Sequence, residues 1–358
     1  MATGAGVLLS AATLLCLQGC SNLGYYWQSA TGHLQMLSAA RPVEAWLSDE
    51  QAPARLKERL ALSQRIRQFA VAELALPDNP SYRRYADLRR SAVVWNVVAA
   101  PAFSLTLKTW CFPVAGCVGY RGYFDEAQAR AMAAELQEQG YEANVSPVPA
   151  YSTLGWMNWA GGDPLLNTFI HYPEGELARL LFHELAHQVL YVKDDTMFNE
   201  SFATAVERLG ITRWLAAQAP GSIQRDYADL EARRAQFRAL TRAIRSSLQQ
   251  VYDAPAAALT PDERSARKQA VLADFRARYA QLRMGWGGDP ARFRNYDQWV
   301  GRANNAAFGA QAAYDELVPG FEALFEREGR DFPRFYDAAR RLGELPRARR
   351  HQVLKEGP

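Results

Sequence analysis

Apolar residues recur at three- and four-residue intervals over Tyr25 to Leu37 and again over Ala52 to Leu76, which predicts two helices closed off by Pro77-Asp78-Asn79-Pro80. The pattern then changes period. From Ala92 to Phe124 β-branched and aromatic residues dominate, and Val93 to Val98 and Phe103 to Trp110 read as strands of a small antiparallel sheet, punctuated by Pro101 and the turns from Pro113 to Gly122. Asp125 predicts a helix cap, Gly140 the stop of that helix, and Tyr141 to Val148 another short strand. Leu177 to Val192 is apolar nearly all round a helix, the mark of a buried element, and a second helix is expected from Asp194-Asp195-Thr196 through Ala203 and Val206. Ile223 to Tyr252 and Pro261 to Met284 have the length and composition of a long helical hairpin standing off the core. Tyr296 to Phe308, Ala312 to Glu328 and Phe332 to Leu342 predict helices that pack back. The expected fold class is α+β, mostly helical.

The apolar run from Leu177 also carries His183, Glu184 and His187. Residues four apart share a helix face, so the two imidazoles reach one point in space, and polar groups among Leu180, Leu181, Leu185 and Ala186 would be buried without purpose unless they held something. A catalytic zinc takes three protein ligands and leaves a fourth position to water, whose pKa falls toward ~7. Glu184 reaches that water as general base and then carries the proton to the leaving amine. If the first helix runs on to about Lys193 and the second returns antiparallel from Thr196, Glu200 comes back to the level of His187 and supplies the third ligand. One Zn²⁺ ion is thus expected on His183, His187 and Glu200. Glu207, two turns after Glu200, either hydrogen-bonds a ligand histidine or closes a four-ligand structural site, a role for which His171 is the other candidate.

Composition changes this picture little, except at the N-terminus. A net charge of +3 over 358 residues implies no nucleic-acid partner, and Arg233-Arg234 and Arg347 to Arg350 read as solvated helix faces, with anionic lipid headgroups as the other possibility. Hydrophobic residues make up 49% of the chain and no Gly, Ser or Pro linker divides it, enough for one large domain or two closely packed ones. Val7 to Leu17 is an apolar run suited to a signal-peptide core, although residues 1 to 15 lack Lys and Arg; a buried N-terminal helix is the alternative. It ends in Leu17-Gln18-Gly19-Cys20, which resembles a bacterial lipobox, with Cys20 as the lipidated residue. Cys16 would leave with the signal, so Cys111 and Cys117 remain as an even pair: a disulfide in an oxidising periplasm, two free thiols in a reducing cytosol.

His183 to His187 followed by Asn199-Glu200-Ser201-Phe202-Ala203 resembles the gluzincins, and the second motif is similar to that of aminopeptidase N and leukotriene hydrolase type enzymes, with a gap shorter by about six residues. Over most of its length the chain resembles a bacterial family of predicted lipoprotein aminopeptidases. The likeness rests on Gly19-Cys20 with Tyr25-Tyr26-Trp27-Gln28, on Cys111 to Cys117 with Gly119 to Phe124, on Ser152 to Trp156 with Asp163-Pro164-Leu165-Leu166, and on Asn304-Asn305-Ala306. The resemblance implies a zincin-like catalytic core at residues 91–220, after a signal peptide at 1–19 and a helical segment at 20–90. The long hairpin takes residues 221–284 and a C-terminal helical part packing on the core takes 285–358.

The same resemblance implies a peptide substrate, a bacterial envelope location facing the periplasm, and membrane attachment through lipid on Cys20. One departure bears on specificity. Aminopeptidase N type enzymes hold the substrate's α-amine with a glutamate in Gly-x-Met-Glu-Asn, whereas this chain reads Gly155-Trp156-Met157-Asn158, leaving Asp163, Glu174 or Glu176 as candidates for that duty. An envelope endopeptidase, or a non-catalytic zinc-containing binding protein, are the alternatives. For the oxyanion donor Tyr314 is favoured over Tyr296, Tyr151, Tyr123 and His171. Asn304 and Asn305, unfavourable inside an Ala-rich helix, are candidates for substrate contact or for holding backbone. An added substrate strand is expected near Ser152 to Trp156 or Leu165 to Ile170.

Overall fold

Every position from Phe198 to Glu207 of the helix Thr196–Gln218 is buried, because other helices pack around it. The helix Glu174–Ala186 packs along it, Ala54–Leu74 lies against both, and Asn305–Asp315 and Val318–Arg327 close the remaining faces. Phe182, Phe198, Phe202, Phe321 and Phe335 are fully buried at the centre of this packing. The computed structural model describes residues 23–112, 116–255 and 258–357, and 64% of it is helical. The fold is α+β and mostly helical, with small sheets. The signal-peptide segment and Cys20 lie outside the described residues.

One sheet matters for the site. Val94–Pro101 is its central strand, antiparallel to Arg121–Tyr123 on one side and to Tyr141–Val148 on the other, with Asn96 opposite both Gly122 and Ser146. The strand alternates as a two-sided element must. Trp95, Val97 and Ala99 pack on Ala129, Ala133 and Leu136 of the helix Glu126–Glu138, whose first turn is capped by Asp125 as expected. Val98 and Ala100 face Ala306, while Val94 and Asn96 of the same face line a cavity.

The expected strand Phe103 to Trp110 forms only at its end, where Trp110–Phe112 pairs with Gly116–Val118 in a hairpin closed by the Cys111–Cys117 disulfide. Ladder bonding stops after Pro101 because side chains take the carbonyls: Asn305 Nδ2 donates to Pro101 O and Ala102 O, both at 2.9 Å, and Lys268 Nζ donates to Ala102 O at 2.7 Å. A second small sheet joins Arg41–Pro42, Arg84–Ala86 and Leu165–Leu166, the last pair parallel.

The long hairpin is Gly221–Asp253 and Pro261–Gly285, the second helix opened by a Thr260/Glu263 capping box. Rather than standing free, it shares an aromatic core with the segment C-terminal to it, where Phe237 and Phe275 of the hairpin meet Trp286, Phe293, Trp299 and Phe308. The helix expected over Tyr296 to Phe308 is broken in two, Arg294–Arg302 and Asn305–Asp315. Asn304 is the cap between them, its side chain accepting from Ala307 N at 3.0 Å, since a short polar side chain satisfies an open helix end better than it serves a helix interior. The helix expected over Ala312 to Glu328 breaks likewise, resuming as Val318–Arg327 with proline in its first turn. Asn305 is fully buried and also accepts from Tyr252 Oη at 2.7 Å. Asn305→Ala is therefore expected to cost about 3 kcal/mol, because Pro101 O and the Tyr252 phenol lose this partner in the interior and Ala102 O keeps only Lys268; chemical denaturation would show this as a lower midpoint.

Candidate metal centre and its cavity

His183 and His187 face the same point, as their spacing requires, but the helix that bears them ends at Ala186 and not near Lys193. His187 is its C-cap. Tertiary bonds override the apolar pattern beyond it: Gln188 Oε1 accepts from Asn79 Nδ2 at 2.6 Å, and Asn199 bridges both backbone groups of Val192 at 2.8 Å. Asn199 thus ties down the connection while its neighbour Glu200 turns inward. Asp195 caps the returning helix by accepting from Phe198 N, and His351 Nε2 holds the same carboxylate at 2.8 Å.

His183 Nε2 and His187 Nε2 are 3.2 Å apart, and Glu200 Oε2 lies 3.4 Å from the first and 3.5 Å from the second. A tetrahedral zinc with bonds of about 2.0–2.1 Å spaces its ligand atoms about 3.3 Å apart. The triangle fits that edge on all three sides. Glu207 Oε2 accepts from His183 Nδ1 at 3.1 Å, which leaves the lone pair of Nε2 for an ion, and Arg179 pairs with the same carboxylate.

The electrostatics point the same way. Burial opposes a charge on His183, yet Glu200 and Glu207 push its pKa up to about 10. Burial likewise opposes a charged Glu200, but His187 and His183 hold its carboxyl well below the usual range. Such a cluster favours positive charge, which a proton or a divalent cation could supply. Glu184 makes no part of the triangle; burial pushes its carboxyl up against the pull of His183 and His187, as suits a base that must take a proton. Glu207→Gln is expected to weaken zinc binding about 10–100-fold, measured by titration against a competing chelator.

The triangle forms the floor of a cavity of about 300 Å³. Val94, Asn96, Gly122 and Val148 of the sheet make one wall, and Tyr25 and Ser29 of the helix at 23–39 make another. Phe112 and Val118 bring the disulfide hairpin to the rim, where Cys117 N donates to Asp194 Oδ1 at 2.6 Å. The hairpin is thereby fastened to the connection between the two ligand helices.

A family model described as "Putative aminopeptidase" matches residues 24–354. The chain belongs to this family. No curated protein and no solved structure matches it. The aminopeptidase family name supports peptidase activity, and the His-His-Glu cluster is compatible with a metallopeptidase.

For a member of the aminopeptidase family the placement of the other expected residues is informative. Tyr314 lies over the centre, its ring 6.2 Å from that of His183, and the charge of Glu200 beside it pushes its phenol well up. Tyr151 also lines the cavity. Tyr123 instead packs on Tyr25, Tyr296 sits in the hairpin's aromatic core against Phe237, and His171 is exposed and outside the cluster. Neither Asn304 nor Asn305 lines the cavity; both hold backbone, Asn304 also donating to Ala143 O at 3.1 Å.

Of the three carboxylates considered for the substrate amine, Glu174 accepts from Trp214 Nε1 and Glu176 is paired with Arg234. Asp163 is buried and accepts from Thr153 N, which shapes the Ser152–Leu154 rim. Leu165 and Leu166 are buried in the second sheet, whereas Ser152 and Leu154 line the cavity; the edge strand Arg121–Tyr123 is covered by the helix at 23–39, where Gln28 accepts from Phe124 N at 2.9 Å and donates to Gly122 O at 3.5 Å. Sequence reasoning passed over Tyr120 and Tyr191, both on the cavity wall, and Arg179 behind Glu207. Arg179 was findable, lying four residues before His183 on the same helix face.

Proposed function

We propose that this protein is a zinc-dependent peptidase acting as an aminopeptidase, held at the bacterial envelope by lipid on Cys20. The observation that carries the metal assignment is the triangle of His183, His187 and Glu200 donor atoms, whose sides match the edge of a tetrahedral zinc site, with Glu184 free beside it. Zinc bound there would polarise the scissile carbonyl and make water acidic enough to attack at neutral pH.

The protein's own groups do the rest. Glu184 takes the proton of the attacking water and returns it to the departing amine, so that one carboxylate serves as base and then acid. Tyr314, whose hydroxyl stays protonated, donates to the oxygen that gains negative charge. Glu207, fixed by Arg179, keeps the His183 ring turned toward the metal.

An endopeptidase is the second reading, favoured by one observation: among the described residues lining the cavity, the carboxylates are Glu184 and Glu200, and neither is spare for a substrate amine. A purely structural zinc fits less well, since Glu207 is engaged with His183 Nδ1 and His171 is remote from the cluster. Hydrolysis of free and N-acetylated peptides by the zinc-loaded protein separates these readings. Cleavage of free N-termini alone supports the aminopeptidase; cleavage of both supports the endopeptidase; one bound zinc with neither activity overturns the catalytic reading. Lipidation is tested by Cys20→Ala, which should leave the chain without acyl groups by mass spectrometry.

A further inference from the structure

Residues 1–40 contain no Asp, Glu, Lys or Arg; the first charge is Arg41. Within that stretch the helix at 23–39 is two-faced. Its inner face is anchored: Gln28 accepts from Phe124 N at 2.9 Å, Gly32 is pressed against Phe124, and Tyr25 and Ser29 line the cavity. Its outer face leaves Leu23, Trp27 and Leu34 at 71%, 72% and 62% exposure, a stripe at helical spacing flanked by Tyr26. Two more tryptophans stand out nearby, Trp156 at 66% and Trp159 at 83% exposure. The segment that carries them adjoins the same helix at two points: Tyr151 meets His33 with ring centroids 5.7 Å apart, and Arg84 links Ala160 O to Leu37 O.

A solvated helix normally carries charge on its outer face, because charged side chains keep it soluble and unassociated. This one carries none and adds aromatic residues of the type that settle at the boundary of lipid headgroups and acyl chains. No described helix is long and apolar enough to cross a membrane. We propose that Leu23, Trp27, Leu34 and Trp159 form an interfacial membrane contact, on which the protein lies with the helix at 23–39 parallel to the bilayer. The bilayer is the occupant that fits, because the stripe begins three residues after Cys20, in a lipobox-like Leu17-Gln18-Gly19-Cys20, and six after the apolar run Val7 to Leu17. An acyl chain on Cys20 alone gives weak attachment, and a second contact makes it stable. Since Tyr25 and Ser29 lie on the inner face of the same helix, the cavity is separated from the bilayer by about one helix diameter, roughly 10 Å.

The choice of the bilayer as occupant rests on the proposed lipid anchor, but the contact itself can be tested without lipid on Cys20. The chain from Ser21 onward keeps every element of the fold, and can be sedimented with vesicles of pure phosphatidylcholine and of phosphatidylcholine with phosphatidylglycerol, at low and high salt. The expected result is co-sedimentation with both, insensitive to salt because the surface is uncharged. Trp27→Ser and Trp159→Ser should each lower partitioning about tenfold, with hydrolysis of soluble peptides unchanged. Three results would overturn the proposal: no binding to either vesicle, binding only to anionic vesicles with release by salt, or equal binding by the variants. Self-association of the unsubstituted chain that both substitutions abolish would also overturn it, assigning the face to a second copy.

Discussion

Glu184→Gln is expected to lower kcat/KM by about a thousandfold while zinc content and thermal stability stay at or above the level of the unsubstituted protein. The substitution keeps the volume of the side chain and removes only its ability to take a proton. Retained zinc follows from geometry, because the donor triangle is made of His183, His187 and Glu200 without it. Retained stability follows from burial, which already disfavours the charged carboxylate at this position and pushes its pKa up, so a neutral amide relieves a desolvation cost. Steady-state kinetics, metal analysis and a melting curve on the same preparation read all three. Activity within tenfold of the original would remove Glu184 from the mechanism and leave the base to be found elsewhere.

The second large effect is expected at Glu200. Glu200→Ala removes the one ligand that comes from the returning helix, and zinc affinity should fall roughly a thousandfold, about 4 kcal/mol out of the ~10–16 kcal/mol that a zinc site commonly supplies. Peptide hydrolysis at limiting zinc should fall with it. The histidine pair would still bind zinc weakly, so excess metal should restore part of the occupancy but little of the turnover, since the ion would sit less firmly over Glu184. Chelator competition gives the affinity; activity against added zinc gives the second measure. If Glu200→Ala binds zinc as tightly as the original, the third ligand is another residue and the assigned triangle is wrong.

How far the molecule was legible depended on the distance over which each feature is decided. The histidine pair was readable because a helix repeats within four residues, so His183 and His187 meet wherever that helix lies. Asp125 and Asp195 were readable as caps for the same reason: the bonds to Gln128 N and Phe198 N are made within three residues. Leu177 to Ala186 announced a buried helix by its composition, and Glu200 was placed near His187 even though the connecting stretch was taken for helix.

That error marks the boundary. Gln188 and Asn199 stop the helix by bonds to Asn79 and Val192, and Asn79 lies more than one hundred residues away, beyond the reach of any local pattern. The cap bond of Asn304 to Ala307 N is as local as those of Asp125 and Asp195, but the bonds of Asn304 to Ala143 O and of Asn305 to Pro101 O and Ala102 O reach across more than 160 residues to the sheet that packs on Ala306. The cavity is likewise a product of assembly, with Tyr25, Asn96, Phe112, Tyr120, Tyr151 and Tyr314 drawn from six separate places in the chain. The sequence by itself determined which donor groups can meet, since His183 and His187 share one helix face and Glu200 lies early in the helix that returns beside it; the tertiary structure alone decided what surrounds them, because walls, charge pairs and the exposed face of the helix at 23–39 arise from contacts between segments that carry no mark of one another.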